Sequence, residues 1–277
     1  MVVGQLKQIS LTTDYRPLTT MEKVAIITGS TAGIGFAIAK TLAQAGVSVV
    51  INGRTSEKLK QAETEIESIG GKVLAIQANG ANETEIKRVV EDTLGRFGKI
   101  DILINNAATV GVGYTVENMP LEVWDEVLNK NLRSVFLFCQ AVTPHLKRQK
   151  SGRIINIGGL SSKNPLPFAA ADACSKAGVS ALTRVLAAEL GGSNITVNTI
   201  IPGFQPDTET GRIFNEKLAA AFHITPEQSI AGTRARTLLK RFETLNEIAE
   251  TVMFLCSDAG AVFTGQNLNV NCGLATS

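Results

Sequence analysis

Cysteine is scarce. Four occur in 277 residues, Cys139, Cys174, Cys256 and Cys272, and none falls in a CxxC or CxxH spacing. That argues against a disulfide framework and against a cysteine-based zinc site. Three of the four lie in apolar or helical stretches, where reduced, buried thiols are expected. No apolar run is long enough to span a membrane. The N-terminus lacks a basic start followed by an apolar stretch, so no signal peptide is expected there. Excess charge is lacking too: the net charge is +2, with basic and acidic residues interspersed. Nothing supports binding to nucleic acid or to an anionic membrane. The expectation is a soluble, cytoplasmic protein acting on a small molecule. Tyrosine is rarer still. Tyr15 and Tyr114 are the only two, and neither has a lysine four residues later.

Apolar residues make up 44% and charged residues 19%, the balance of a globular chain. Short apolar runs alternate with helical ones from residue 21 onward. "VAIIT" (24–28), "SVVIN" (48–52), "KVLAIQ" (72–77), "DILINNA" (101–107), "GRIINIG" (152–158), "ITVNTIIPG" (195–203) and "NLNVN" (267–271) read as strands. Nearly continuous apolarity is the mark of parallel strands covered on both faces. Helices are expected at about 33–46, 56–69, 82–97, 121–148, 169–190 and 246–257. Strand–helix repetition of this kind predicts an α/β fold, a doubly wound, Rossmann-type parallel sheet of seven strands in one domain. Residues 1–20 read as an extension and 21–277 as the domain. Within it, 204–245 mixes Pro, Thr, charges and short apolar pieces. A long insertion at the carboxyl edge of such a sheet is expected to cover the ligand site.

"VAIITGSTAGIGFAIAK" passes from the first strand into a helix with Gly29, Gly33 and Gly35 in a G-x-x-x-G-x-G pattern. The chain must turn sharply, and its backbone must approach a pyrophosphate without Cβ atoms in the way. Thr31 lies in this loop. The helix that opens at Gly33 and Ile34 would aim free N–H groups and its positive end at the phosphates. The second strand ends "INGRT". An acidic residue there would take a ribose 2′-hydroxyl. Arg54 and Thr55 stand there instead and suit a 2′-phosphate, favouring NADP(H) over NAD(H). A solvated arginine at the loop is the plainer alternative.

"TGSTAGIG" (28–35), "NNAA" (105–108), "NL" (131–132), "SKAG" (175–178) and "PG" (202–203) follow in order and at spacings that closely resemble the short-chain dehydrogenase/reductase family, over about residues 21–273. The resemblance implies hydride transfer between NAD(P)(H) and a carbonyl or alcohol, in a homo-dimer or homo-tetramer. Carried over, it assigns Gly29, Gly33, Ile34, Gly35, Pro202 and Gly203 to the cofactor. Asn105 would support the sheet beside it. Asn131 would be the catalytic asparagine, and Lys176 the lysine of the nicotinamide ribose. An aspartate usual near adenine is here Asn79, still able to bond the base edge. Two positions depart further. Asp172 stands four residues before Lys176, where the family has its tyrosine, and Gly159 occupies the serine position.

Reduction of a ketone produces an alkoxide, which needs a proton and hydrogen-bond donors. Gly159 offers no hydroxyl, and an ionised aspartate repels an alkoxide. Three roles for Asp172 are open. It can stabilise a cationic substrate, such as an iminium, during reduction. It can act as acid or base in a non-redox cyclisation, isomerisation, dehydration or retro-aldol step, with Gly158 and Gly159 leaving room for a bulky substrate. Or the protein binds NADP(H) without chemistry, Asp172 being a salt bridge to Lys176 in a decayed site. Tyr114 could supply a phenol from the loop after the fourth strand. His223 could reach the pocket from the covering segment.

Overall fold

Successive residues of a strand point to opposite faces, and here both faces are apolar. In β1 (Val24–Ile27), Val24 and Ile26 enter one core cluster while Ala25 and Ile27 enter the other. Each fully buried Val or Ile contributes on the order of 1.5–3 kcal/mol of transfer free energy. A strand with two such faces is stable only between two helical layers. The computed structural model describes residues 22–276 and has that architecture. The predicted extension 1–20, with Tyr15, lies outside the described residues.

The remaining strands are β2 (Ser48–Gly53), β3 (Val73–Gln77), β4 (Ile102–Asn105), β5 (Gly152–Ile157), β6 (Ile195–Pro202) and β7 (Asn267–Val270). They form one sheet in the order β3-β2-β1-β4-β5-β6-β7, every pair parallel. One face is covered by α1 (Gly33–Gln44), α2 (Ser56–Ser68) and α9 (Leu245–Cys256), through Ile38, Leu42, Leu59, Ile66, Ile248 and Val252. The other is covered by α3 (Glu83–Phe97), α5 (Ser134–Gln149) and α6 (Ala170–Leu190), through Ile86, Val89, Phe138, Val142, Val179 and Leu190. Strand order reverses between β1 and β4, so the crevice for a ligand opens at their carboxyl ends.

The expected single helix over 121–148 is two helices. α4 (Leu121–Leu128) runs into a π turn, Asn129–Arg133, before α5 begins. One extra residue per turn shifts the following side chains around the axis. That shift turns Asn131 inward, where it is only 1% exposed. The 204–245 segment holds two helices, α7 (Glu209–Ala221) and α8 (Pro226–Arg236). Thr225 opens α8 with a capping box to Gln228, and Thr244 opens α9 with one to Glu247. All four cysteines are free. Cys139 and Cys256 are buried as expected, Cys272 is half-buried, and Cys174 is exposed on α6. Among the described residues, no helix is long and apolar enough to cross a membrane.

Candidate active site

The chain leaves β1 into a loop shaped by what it passes. A Cβ at Gly29 would come 2.8 Å from Ala107 Cα, and one at Gly35 would collide with Asn106 Nδ2. Both glycines therefore let the loop lie against the segment after β4. Gly33 has φ +58°, a backbone that favours glycine, at the first turn of α1. Ala32, its N-cap, supplies no side-chain bond, and no acidic residue lies in that turn. The first N–H groups of α1 are thus open to an anion. Asn106, a residue to which the motif reading assigned no role, holds the loop in place. Its Nδ2 donates to Thr28 O (3.0 Å) and Gly29 O (2.9 Å), and its own N–H donates to Thr28 Oγ1.

The other candidate cofactor residues divide. Asn105 is 3% exposed and donates to Asn156 Oδ1 at 2.8 Å, tying β4 to β5. Thr31 packs its methyl against Gly53. Asn52 is spent inside the sheet, donating to Ile76 O and Ala78 O. Arg54 is therefore the first residue past β2 with an exposed side chain. Thr55 beside it begins α2 without making a side-chain cap bond. Asn79 is exposed, and its Oδ1 accepts from the Ala81 N–H, leaving only its amide nitrogen for a base. Pro202 ends β6 and Gly203 follows it. Thr208 begins α7, and its methyl lies 3.5 Å from a Cβ built on Gly33. The 204–245 segment thus reaches the glycine loop after β1, and Glu209 beside Thr208 bridges to Lys58 of α2 at 2.8 Å. Open helix N–H groups, glycine clearance and an exposed cation past β2 fit a dinucleotide.

The residues expected at the reacting end, Asp172 and Lys176, lie on α6. Asp172 is 9% exposed and Lys176 is 8% exposed. Among the described residues no ion pair joins them. Lys176 Nζ donates instead to Ile157 O at 3.2 Å. Asp172 Oδ2 accepts from Ser161 Oγ at 2.6 Å. The short 3-10 turn Leu160–Ser162 carries that hydroxyl to Asp172 from two residues past the empty serine position. Asn131 lies alongside. Its Oδ1 accepts from Thr109 N–H at 2.7 Å, and its Nδ2 donates to Thr109 O at 3.0 Å and Ser175 Oγ at 3.3 Å. Its side chain thus pins the loop after β4. Tyr114 pairs its backbone with Ala169, three residues before Asp172. His223 is exposed at the end of α7.

The two glycines are not equivalent. A Cβ at Gly158 would come 2.7 Å from both Ile201 Cδ1 and Thr199 Cγ2, so Gly158 serves packing against β6 and frees no room for substrate. A Cβ at Gly159 would meet only the Lys176 stem, at 3.3–3.6 Å.

Burial pushes the Lys176 ammonium below the ordinary lysine pKa, and the Asp172 charge offsets this only in part. The folded chain then gives up that proton more readily than the unfolded chain. Between the depressed value and about 10.4 the unfolded state holds more protons, so this lysine makes stability rise with pH across that window. Lys176→Met is expected to flatten the rise. Melting temperatures measured from neutral pH to about 10 check it, and an equal rise in the variant would assign the effect to other groups.

Residues 29–275 match the family model described as enoyl-(acyl carrier protein) reductase. Over 259 residues the chain is 36% identical to the 3-oxoacyl-[acyl-carrier-protein] reductase FabG of Staphylococcus epidermidis, covering 92% of this chain and 99% of that protein. Identity to the FabG of Thermotoga maritima is 36% over 252 residues, 91% of this chain and 97% of the other. Among solved structures, an actinorhodin polyketide ketoreductase with NADPH superposes with a TM-score of 0.86 at 31% identity, covering 91% of this chain and 96% of its own. An NAD+-bound xylitol dehydrogenase gives 0.88 at 29%, over 91% and 98%. The chain belongs to the short-chain dehydrogenase/reductase family and has its NAD(P)-binding, oxidoreductase-type fold.

Proposed function

We propose that this protein is an NADP(H)-dependent reductase of a cationic or otherwise polarised bond, an iminium above all, on a small and largely apolar substrate. One observation carries the proposal. Asp172 is a buried carboxylate that accepts a bond from Ser161 but makes no ion pair among the described residues, the Lys176 charge acting on it only from a distance. A buried charge without a counter-charge in contact is costly. A substrate cation held beside it would relieve that cost. The relatives whose names describe oxoacyl or keto substrates act on carbonyls. Here neither Gly159 nor Asp172 offers a developing alkoxide a proton.

Bound NADPH would supply a hydride. The chain's residues then have separate tasks. The open N–H groups of α1 take the pyrophosphate, and Arg54 and Thr55 take the 2′-phosphate. Lys176 holds the nicotinamide ribose. Asp172 faces the C=N carbon and nitrogen. Hydride supplied to that carbon would send the C=N electron pair to nitrogen and leave a neutral amine. No proton is needed at that moment, so a tyrosine is dispensable. The cover contributes apolar surface, with Phe222 edge-on to Phe168 at 5.2 Å. Exposed Phe136 on α5 and Val185 on α6 support a homo-dimer or homo-tetramer. Proton transfer without redox is the second reading. The Ser161–Asp172 bond favours it, because a hydroxyl–carboxylate pair can relay a proton.

NADPH oxidation measured with a 3,4-dihydroisoquinolinium and with cyclohexanone tests the proposal. Turnover is expected with the iminium and only background with the ketone. Arg54→Asp should weaken NADPH by about ten- to a hundred-fold and leave NADH nearly unchanged, since one charge-assisted contact is worth roughly 1.5–3 kcal/mol. Equal turnover of ketone and iminium would overturn the reading. Conversion of substrate without NADPH consumption would favour the non-redox one.

A further inference from the structure

Glu243 is a buried carboxylate with no part in the chemistry above. It is 5% exposed. It lies where the covering segment returns to the domain, one residue before the cap of α9. Its partners lie where that segment leaves. Oε1 accepts from the Gly203 N–H at 2.6 Å and from Gln205 Nε2 at 2.7 Å, and the Glu243 backbone carbonyl accepts from Gln205 Nε2 at 3.1 Å. The aromatic neighbours repeat the pairing. Phe204 meets Phe242 edge-to-face at 5.5 Å, and the Arg234 guanidinium lies 5.4 Å over the Phe242 ring.

Gly203 and Glu243 are fitted to each other. A Cβ on Gly203 would stand 2.9 Å from Glu243 Oε2 and 3.0 Å from Oε1. Burial also pushes the Glu243 carboxyl above the usual range, against the opposing effect of its hydrogen bonds. Its second oxygen, Oε2, is buried without a partner among the described residues. A carboxylate kept in so unfavourable a setting costs stability that a neutral side chain would not. Two bonds to the carboxylate, beside the third to the Glu243 backbone carbonyl, are what that cost maintains.

We infer that Glu243 is a positioning residue that clasps both ends of the 204–245 cover, and so fixes where the first turn of α7 lies over the cofactor. The inference rests on reading 204–245 as the cover. Thr208, which abuts the phosphate loop, lies only three residues past Gln205 and bonds its carbonyl. An error in the clasp therefore passes directly to the Thr208–Gly33 contact and the Glu209–Lys58 bridge. The unclasped cover would sample positions away from the nucleotide, and apparent affinity falls with the fraction of chain in the competent state.

The full chain with Glu243→Ala, Glu243→Gln and Gln205→Ala tests this, with NADPH titrated calorimetrically and amide exchange followed across 203–222 without cofactor. Glu243→Ala is expected to weaken NADPH by about ten-fold and to speed exchange at 203–208. Glu243→Gln keeps an acceptor oxygen and should restore both to within about three-fold. Gln205→Ala should fall between them and guards against a failure of Glu243→Ala to fold. With an iminium substrate the loss should appear in KM for NADPH, with kcat little changed. A lowered melting temperature with unchanged NADPH affinity and unchanged exchange at 203–208 would make Glu243 an ordinary core residue and overturn the inference. Should the wild type bind no NADPH, the cofactor reading fails. The clasp then stands or falls on exchange at 203–208 alone.

Discussion

Asp172→Asn is expected to lower turnover of an iminium substrate at least about a hundred-fold, while NADPH affinity stays close to wild type and the melting temperature holds or rises as a buried charge is removed. The substitution is nearly isosteric. The asparagine carbonyl can still accept from Ser161 Oγ, which lies 2.6 Å from Asp172 Oδ2. Lys176 keeps its own bond to Ile157 O. What is lost is the negative charge beside the substrate, and with it both cation stabilisation and any proton acceptance. A decayed site predicts something else. There Asp172 would matter only through Lys176, and the change would appear in stability or NADPH binding. Assays of turnover, melting and cofactor affinity on this one variant separate the two. Full activity in the asparagine variant would end any catalytic role for the carboxylate.

The sheet was legible because central strands such as β1 and β4 are apolar on both faces, a pattern that helices of this length do not share. Ile26 and Ile27 are both wholly buried, each in a different core cluster. The loop glycines were legible in type but not in cause. Gly29 and Gly35 answer to packing against Ala107 and Asn106, which only the neighbouring strand brings near. The π turn left no mark in the apolar pattern, since α4 buries only Val127 before it and the regular burial belongs to α5. Asn131 inside that turn is bonded to the Thr109 backbone, twenty-two residues away, a contact that no local pattern announces. Asp172 was visible in the sequence, and Ser161 stands two residues past the serine position. Their pairing depends on how tightly the chain turns after β5, and only the 3-10 geometry of 160–162 settles that. The bond from Glu243 to Gly203 spans forty residues, a separation at which no local pattern operates.

Gly159→Ser together with Asp172→Tyr is expected to turn the protein toward ketones, raising NADPH-dependent reduction of cyclohexanone by about ten- to a hundred-fold over wild type. The backbone allows it. Gly159 has φ −174°, extended and open to any residue. Its new Cβ would lie 3.3 Å from Lys176 Cγ, so the flexible lysine stem must yield by a few tenths of an ångström. The introduced tyrosine would stand one helical turn before Lys176, which is buried and held by a single carbonyl bond. A lysine so placed can favour the phenolate and prepare the phenol to give up its proton. The two changes should act as a unit. Gly159→Ser alone leaves an anion facing the alkoxide, and Asp172→Tyr alone leaves the oxygen with one donor, so the gain of the pair should exceed the sum of the single gains. Iminium turnover should fall in the double variant, because the charge that draws the cation is gone. Steady-state rates with both substrates, beside NADPH titrations, check this. Strong ketone turnover by the wild type would show that Asp172 and Gly159 do not bar carbonyl chemistry. A double variant that binds NADPH normally yet gains nothing would show that the pocket, not the missing hydroxyls, sets the substrate.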